Sequence, residues 1–339
     1  MENYALVSEK EIEEMKERIL KGEFLNKNYL AQYDPVDCSS TLKRFCLYKS
    51  DAEKSWRGED CDVSLAAVVT YSMMYDWLDG NTIQWQPGSC VKYCVMGKQG
   101  KEGKGNLYYG DTMTSAWTVL RKYLFCLWEK EPQNSNLRGY FFSNGQELTT
   151  YSKNDPYKGF TDYFFKLLIR NKDVLDVLEE KVCVVAKEFL DNYLKAGNMI
   201  ATPEKFNVPR SNNGRWDTVD RMLWKIYQYF KNGKDKAFLF QMFTEEKDAA
   251  VTNCLNWFKD AGIDKWEDFV EENLMMPFVD KDLRPISLKT GKAIELGIRE
   301  DYKPMPTSIE ECEVFFETAN KGIEERSRLI WEKIQGASQ

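Results

Sequence analysis

The sequence of 339 residues contains no histidine. Without an imidazole, the chain cannot form a Ser-His-Asp or Cys-His catalytic arrangement. It also lacks the nitrogen ligand of histidine-containing zinc and non-haem iron sites. Any general acid or base must be Asp, Glu, Lys, Tyr or Cys, and a hard divalent cation would need oxygen ligands. We therefore expect no haem and no zinc–histidine requirement, while a divalent cation stays open and any other cofactor is unknown.

The nine cysteines are scattered, and no Cys-x-x-Cys pair occurs. Cys90 and Cys94 are the only close pair, and on a strand they would share a face about 13 Å apart. Scattered free thiols are typical of a reducing compartment, so we expect no disulfide requirement. The first residues, MENYALVSEKEIEEMKERILKG, lack the apolar region of a secretory signal. These features predict a cytoplasmic protein.

The sequence also lacks long apolar runs and a basic charge balance. No apolar stretch approaches the roughly 20 residues that a membrane span needs, so we predict a soluble chain with no membrane partner. The 47 Lys and Arg against 54 Asp and Glu give a net charge of −7. An acidic balance disfavours binding of nucleic acid, although it leaves room for a local basic pocket.

The patterns that are present predict an α+β fold dominated by helices. Residues 1–150 read as a mixed α/β part that carries a glycine- and lysine-rich hairpin loop at 97–105. Residues 151–339 read as mostly helical, after a turn-rich connector at 133–156. We expect the β-containing N-terminal part to pack on the helical C-terminal part. The alternative is one continuous globular domain.

Local signals in the first part define several elements. Ser8 and Glu11 form a capping box that opens the first helix. The apolar segment 63–77 is either a helix or a buried strand, since periodicity does not decide between them. Asp79-Gly80-Asn81 reads as a turn, followed by an alternating strand over Thr82–Gln86.

Further along the chain, helical periodicity is stronger. Asp111 or Thr112 is the expected cap of the next helix. Apolar residues at helical spacing over 175–193 predict one continuous helix, and Gly197 is expected to end it in a left-handed conformation.

One stretch, residues 197–230, combines a helix end, an irregular loop and a new helix start. A helix start favours anions because its first N–H groups are unpaired and its dipole is positive there. Carboxylates at the same place could hold a divalent cation or act as a base. The alternative is a plain ion pair between Arg215 and Asp217, with no ligand. The candidate catalytic residues are Asp217 and Asp220, and the candidate ligand-binding residues are Asn198, Arg210, Arg215, Arg221, Arg326 and Arg328.

Four segments carry a resemblance to a known family: Asp34-Pro35 through Leu47, Gly197-Asn198-Met199-Ile200 with Pro203, Arg215-Trp216-Asp217 leading to Tyr227, and Glu325-Arg326-Ser327-Arg328. In this order they resemble a bacterial protein family of unknown function, domain of unknown function 6994, which implies a bacterial origin. The resemblance spans most of the chain and implies a shared architecture, but the family has no known activity to transfer. The sequence departs from the family directly after Phe45 and at Ile226, where relatives often carry histidine.

Two main functions remain at this point, beside a third, nucleic-acid modification, in which Lys43, Arg44 and the lysines of the glycine loop would line a groove and against which the acidic balance counts. The first is binding of a small anionic or phosphate-bearing ligand near the Arg/Asp-rich helix start. The second is a non-catalytic protein-interaction module, to which ten tryptophans and eighteen tyrosines could contribute an aromatic surface. A cleft in which charged residues converge would favour the first, and a flat apolar patch the second.

Overall fold

The computed structural model describes residues 4–23, 40–50, 64–86, 92–98, 106–115, 117–129, 165, 168–206 and 218–337. These residues form an α+β fold dominated by helices, which confirms the predicted fold class. The strands are β1 (Ala5–Leu6), β2 (Leu78–Gln86), β3 (Lys92–Gly97), β4 (Leu107–Thr112), β5 (Met199–Pro203), β6 (Ile286–Ser287) and β7 (Lys292–Ala293). The helices are α1 (Glu9–Leu20), α2 (Thr41–Ser50), α3 (Leu65–Met74), α4 (Trp117–Glu129), α5 (Lys172–Lys181), α6 (Val184–Asn192), α7 (Val219–Lys231), α8 (Lys236–Phe240), α9 (Lys247–Asp260), α10 (Trp266–Glu272) and α11 (Ile309–Ala337).

Strands β1 to β5 form an antiparallel sheet in that spatial order. Strands β3 and β4 pair around the glycine-rich segment, where the Gly97 N–H donates to the Asn106 carbonyl at 2.9 Å. Residues 99–105 themselves lie outside the described residues. Strand β5 is buried along its whole length and pairs with β4. The sheet therefore joins residues from both sides of position 150.

The predicted turn at Asp79-Gly80-Asn81 is wrong, because these residues lie inside β2. The pairing register between β2 and β3 shifts between Asp79 and Ile83. The Asp79 side chain accepts from the Asn81 N–H at 3.1 Å and from the Thr82 hydroxyl at 2.6 Å. The turn-forming residues thus bend the strand locally as a bulge does, while the chain keeps its direction.

The ambiguous segment 63–77 contains helix α3. The Ser64 hydroxyl caps it by accepting from the Ala67 N–H at 3.1 Å. Residues on nearly every side of α3 are buried, among them Ala67, Val69 and Tyr71. Because no face is left to solvent, the sequence shows no periodicity that could distinguish a helix from a strand.

The predicted cap at Asp111 or Thr112 is also wrong. Both residues belong to β4, where they pair with Ile200 and Met199 of β5. Helix α4 begins five residues after Thr112, at Trp117. Side chains that suit a helix cap are here used at the end of a central strand.

The continuous helix expected over 175–193 is divided into α5 and α6. The chain is extended at Val182 and at Cys183, the residue before α6. The Cys183 N–H donates to the Tyr123 hydroxyl of α4 at 3.1 Å. This backbone donor at the interruption between α5 and α6 therefore has a hydrogen-bond partner.

Gly197 lies in a 3-10 turn, Ala196–Asn198, and not in the predicted left-handed cap. A Cβ atom at this position would lie 1.9 Å from the Ile323 carbonyl oxygen of α11. The Gly197 N–H donates to the Ser327 hydroxyl at 3.0 Å. Glycine is therefore required for close approach to the last helix.

Helix α11 organises the core, since it packs against α3, α4, α6 and the 196–198 turn. Its buried face agrees with the helical spacing of the sequence. That face includes Cys312, Phe316, Ala319, Ile323, Ile330 and Ile334. Across the part of the chain that the structure describes, α11 and the shorter helices are all too polar or too short to cross a bilayer.

Candidate functional site

Helix α7 is the helix start singled out from the sequence. It begins at Val219 after the N-cap residue Thr218. Asp217, Arg210 and Arg215 lie outside the described residues, so their roles stay predictions. The helix is buried on almost all sides, and its polar side chains are buried with it. Each of those polar groups therefore needs a partner inside the protein.

Residues 287–302, which we call the strap, lie along the polar face of α7. The Trp224 indole donates to the Glu300 carbonyl at 3.1 Å. The Gln228 amide donates to the Ile298 carbonyl at 2.7 Å and to the Glu300 carbonyl at 2.9 Å. Side chains of α7 thus donate hydrogen bonds to backbone carbonyl groups of the strap.

Asp220 is fully buried at the junction of α7 and the strap. Its carboxylate accepts from the Arg221 N–H and the Leu288 N–H, both at 2.9 Å, and from the Tyr302 hydroxyl at 2.6 Å. Burial raises the pKa of Asp220, and these hydrogen bonds oppose the rise. With these donors, Asp220 holds the strap to the helix start, and its predicted catalytic role remains a prediction.

Two buried cationic side chains, Arg221 and Lys225, lie one turn apart on α7. Arg221 is 4% exposed and Lys225 is fully buried. Both contact Gln241: the Arg221 Nη2 donates to its carbonyl at 3.1 Å, and the Lys225 Nζ donates to its Oε1 at 2.8 Å. Lys225 also pairs with Asp301 of the strap at 2.7 Å, and the Asp301 side chain is 55% exposed.

The carboxylate partner of Lys225 compensates the charge of this lysine only in part. Burial lowers the pKa of Lys225, and the nearby Arg221 lowers it further. The contact with Asp301 opposes the shift without reversing it. A half-exposed carboxylate is a weak counter-ion, because water screens it.

The structure brings Asn198 to the start of α7 through Thr114. Asn198 exchanges two hydrogen bonds of 3.1 Å with the main chain of Thr114. The Thr114 hydroxyl accepts from the Val219 N–H at 3.1 Å. Sequence reasoning missed Thr114, since nothing local marks a threonine that is 105 residues from its partner. The first N–H of α7 is therefore already satisfied, and a ligand here would be held by side chains.

Arg326 lies on the other side of the 196–198 turn and is fully buried. Its Nη1 donates to the carbonyls of Gly197 at 3.0 Å and Met199 at 2.7 Å, and its Nε donates to the Asn273 carbonyl at 3.0 Å. Asn273 caps the C-terminus of α10, where carbonyl groups and the helix dipole favour a cation. Arg326 thus ties three chain segments together.

Arg328 differs from Arg326 although it lies only two residues away. Its side chain is exposed on α11 and pairs with Glu325 and Glu332. Among the sequence-predicted residues that are described, Asn198, Asp220, Arg221 and Arg326 are linked through shared neighbours, and Arg328 is directed to solvent.

A second feature, a cleft of about 400 Å³, lies near the ends of α9 and α10. The Trp77 indole donates to the Glu272 carboxylate at 3.1 Å, and the Lys333 ammonium lies 3.9 Å from the same carboxylate. Burial raises the pKa of Glu272. Sequence reasoning did not find this cleft. Its lining residues are Ala261, Gly262, Asp268, Glu271, Glu272, Leu274 and Lys333.

Two further observations concern metals and surfaces. Throughout the described ranges, no three His, Cys, Asp or Glu side chains are grouped to hold a metal ion. Wherever side chains are described, every Trp, Tyr and Phe is buried or half-buried. The exposed large apolar side chains in those ranges are Leu6, Val184, Met276 and Leu296.

The chain matches no protein-family model, and searches of the curated proteins and of the solved structures also found no match. The resemblance drawn from the four sequence segments therefore stays a prediction.

Proposed function

We propose that this protein binds a small anionic ligand, with a phosphate or carboxylate group, at Arg221 and Lys225. The observation that carries the proposal is the pair of buried cations on adjacent turns of one helix. Burying a cation costs several kcal/mol unless an anion accompanies it. A ligand anion would supply the compensation that the half-exposed Asp301 gives only in part.

The contact between Lys225 and Asp301 supports an order of events. Asp301 occupies the position of a ligand oxygen, 2.7 Å from the Lys225 ammonium. Because Asp301 belongs to the exposed side of the strap, a phosphate could exchange with it while the hydrogen bonds that Asp220 accepts from Leu288 and Tyr302 keep the strap in place. Arg221 then adds charge-assisted hydrogen bonds, which are stronger than neutral ones.

The interaction-module alternative has less support. This alternative requires an exposed aromatic surface, and every Trp, Tyr and Phe whose side chain is described is buried or half-buried. The four exposed large apolar residues are spread over β1, α6, the 276–278 turn and the strap. Single exposed apolar residues are normal on monomeric proteins.

We also propose a cytoplasmic, reducing compartment in a bacterium. The bacterial assignment rests on the sequence resemblance. The compartment rests on the free thiols among the described residues, several of which are buried in the core. They are Cys46, Cys94, Cys126, Cys183, Cys254 and Cys312.

The test is thermal unfolding with increasing inorganic phosphate at constant ionic strength. Binding should raise the midpoint, with a stabilisation of about 2.7 kcal/mol at a hundredfold excess over the dissociation constant. Lys225→Met should abolish the rise. Lys231→Met is the matched control, since Lys231 lies on the same helix in an exposed pair with Glu267. Asp301→Asn should enhance the response, because it removes the competing carboxylate.

Two outcomes would reject the proposal. The first is the absence of a phosphate response in both the unmodified protein and Asp301→Asn. The second is an equal loss of response in Lys225→Met and Lys231→Met, which would indicate general charge screening. Because Asp301→Asn changes an exposed side chain, the test survives even if Lys225→Met folds poorly.

A further inference from the structure

The cleft described above is bordered by the C-termini of two helices. Helix α9 ends at Asp260, and Ala261 and Gly262 continue along the cleft. Helix α10 ends at Glu272, followed by Leu274 on the same lining. A helix C-terminus carries partial negative charge, so two of them at one cleft favour a cation there.

Carboxylates add to this negative potential in unequal ways. Asp268 is occupied as a cap of α10, where it accepts from the Asp264 and Lys265 N–H groups at 3.1 Å. Glu271 is exposed, and its carboxylate forms no ion pair with any residue in the described ranges. Glu272 is half-buried, and the neighbouring Asp76 and Glu271 add to the burial that raises its pKa.

Lys333 supplies an independent indication of what the cleft accepts. Its ammonium lies 5.7 Å from the centre of the Tyr75 ring and 3.9 Å from the Glu272 carboxylate. The second distance is too long for a direct hydrogen bond. The chain's own ammonium thus lies loosely between an aromatic face and a carboxylate, and this is the arrangement with which proteins bind organic ammonium ions.

We infer that this cleft binds a small organic cation with two or more ammonium groups, such as a diamine or polyamine. A volume of about 400 Å³ is adequate for such a molecule and falls within the range of roughly 300–1,000 Å³ for ligand pockets. One ammonium pairs with Glu271, and a second shares Glu272 with Lys333 or takes the place of the Lys333 ammonium. Across the described ranges, no group of three metal-binding side chains occurs, which favours an organic cation over a metal ion. This site is independent of the anion site on α7.

Calorimetric titration with 1,4-diaminobutane and spermidine, at constant ionic strength, tests the inference. Both amines should bind saturably to the unmodified protein, and spermidine should bind more tightly because it carries the larger charge. Glu271→Gln should weaken binding about tenfold. Lys333→Met should strengthen it, because the variant removes the competing ammonium. Both substituted side chains are at least partly exposed, so the variants should fold.

Glu317→Gln is the matched control. Glu317 is exposed on α11 in a pair with Lys321, and its loss changes the net charge as Glu271→Gln does. Unchanged binding in this variant, with weaker binding in Glu271→Gln, would support the site. An equal effect in both variants would overturn the inference, since a general charge field would then explain the binding. Absence of saturable binding in both the unmodified protein and Lys333→Met would overturn it as well.

Discussion

Gly197→Ala is expected to be one of the most destabilising single substitutions in this protein. The added Cβ would lie 1.9 Å from the Ile323 carbonyl oxygen and 2.8 Å from the Ser327 backbone nitrogen. Both atoms belong to the main chain of α11, so no side-chain rotation can relieve the clash. The 196–198 turn and α11 would have to separate by about 1 Å or more.

The cost of that separation can be worked from its parts. Overpacking a core usually costs about 1–3 kcal/mol and more where backbone must move. Separation also weakens the hydrogen bond from Gly197 to Ser327, worth about 1 kcal/mol, and it disturbs the Arg326 contact with the Gly197 carbonyl. We therefore expect a loss of about 3–4 kcal/mol in the free energy of unfolding.

Urea unfolding followed by circular dichroism measures this loss. Gly336→Ala is the control, because Gly336 lies in α11 itself and a Cβ there meets no atom within 4 Å. That variant should be unchanged or more stable by up to about 1 kcal/mol, since alanine favours a helix. If Gly197→Ala lost less than about 1 kcal/mol, the argument for close approach would be refuted.

Three further predictions concern stability. Arg326→Met should lower the free energy of unfolding by about 3–5 kcal/mol in urea titrations, because it leaves the buried carbonyls of Gly197, Met199 and Asn273 without their donor; a loss below about 1 kcal/mol would contradict this. The pKa of Glu272 is raised, so the folded state binds the proton of this carboxyl group more tightly than the unfolded state does. The resulting contribution to the free energy of unfolding is complete below the ordinary pKa of 4.5, and it is lost as the pH rises through the pKa of the folded state. Across that pH window, the free energy of unfolding should therefore fall less steeply with rising pH in Glu272→Gln than in the unmodified protein. An equal dependence on pH in the two proteins would speak against burial as the cause of the raised pKa. Ser8→Ala should cost about 1 kcal/mol through loss of the α1 capping box, and equal urea midpoints for the two proteins would exclude that role.

Local signals in the sequence predicted the elements that depend on local chemistry. The capping box at Ser8 opens α1, and the periodic apolar residues of α11 form its buried face. The errors lie where distant partners decide the structure. Asp111 and Thr112 suit a helix cap, but pairing with β5 makes them strand residues. Gly197 was recognised as special, yet its reason is the backbone of α11, far away in the sequence.

In the candidate site too, local patterns identify some residues, and contacts between distant segments define the others. Arg221 and Asp220 were identified because they crowd a helix start, which is a local pattern. Lys225 and its partners Gln241 and Asp301 were not identified, because the contacts join α7 to segments beyond it. A lysine on a helix usually faces solvent, whereas Lys225 is buried and contacts both Gln241 and the strap.

The cleft could not be predicted from the sequence. It forms where the ends of α9 and α10 meet a lysine of α11. No local motif marks such a meeting point.

The anion site at Arg221 and Lys225 is tested most directly by calorimetric titration of inorganic phosphate into the unmodified protein, Asp301→Asn and Lys225→Met. We expect saturable binding to the unmodified protein, tighter binding to Asp301→Asn, and no binding to a folded Lys225→Met. Equal phosphate affinity in all three proteins, or no binding to any of them, would contradict the claim that Arg221 and Lys225 form an anion site.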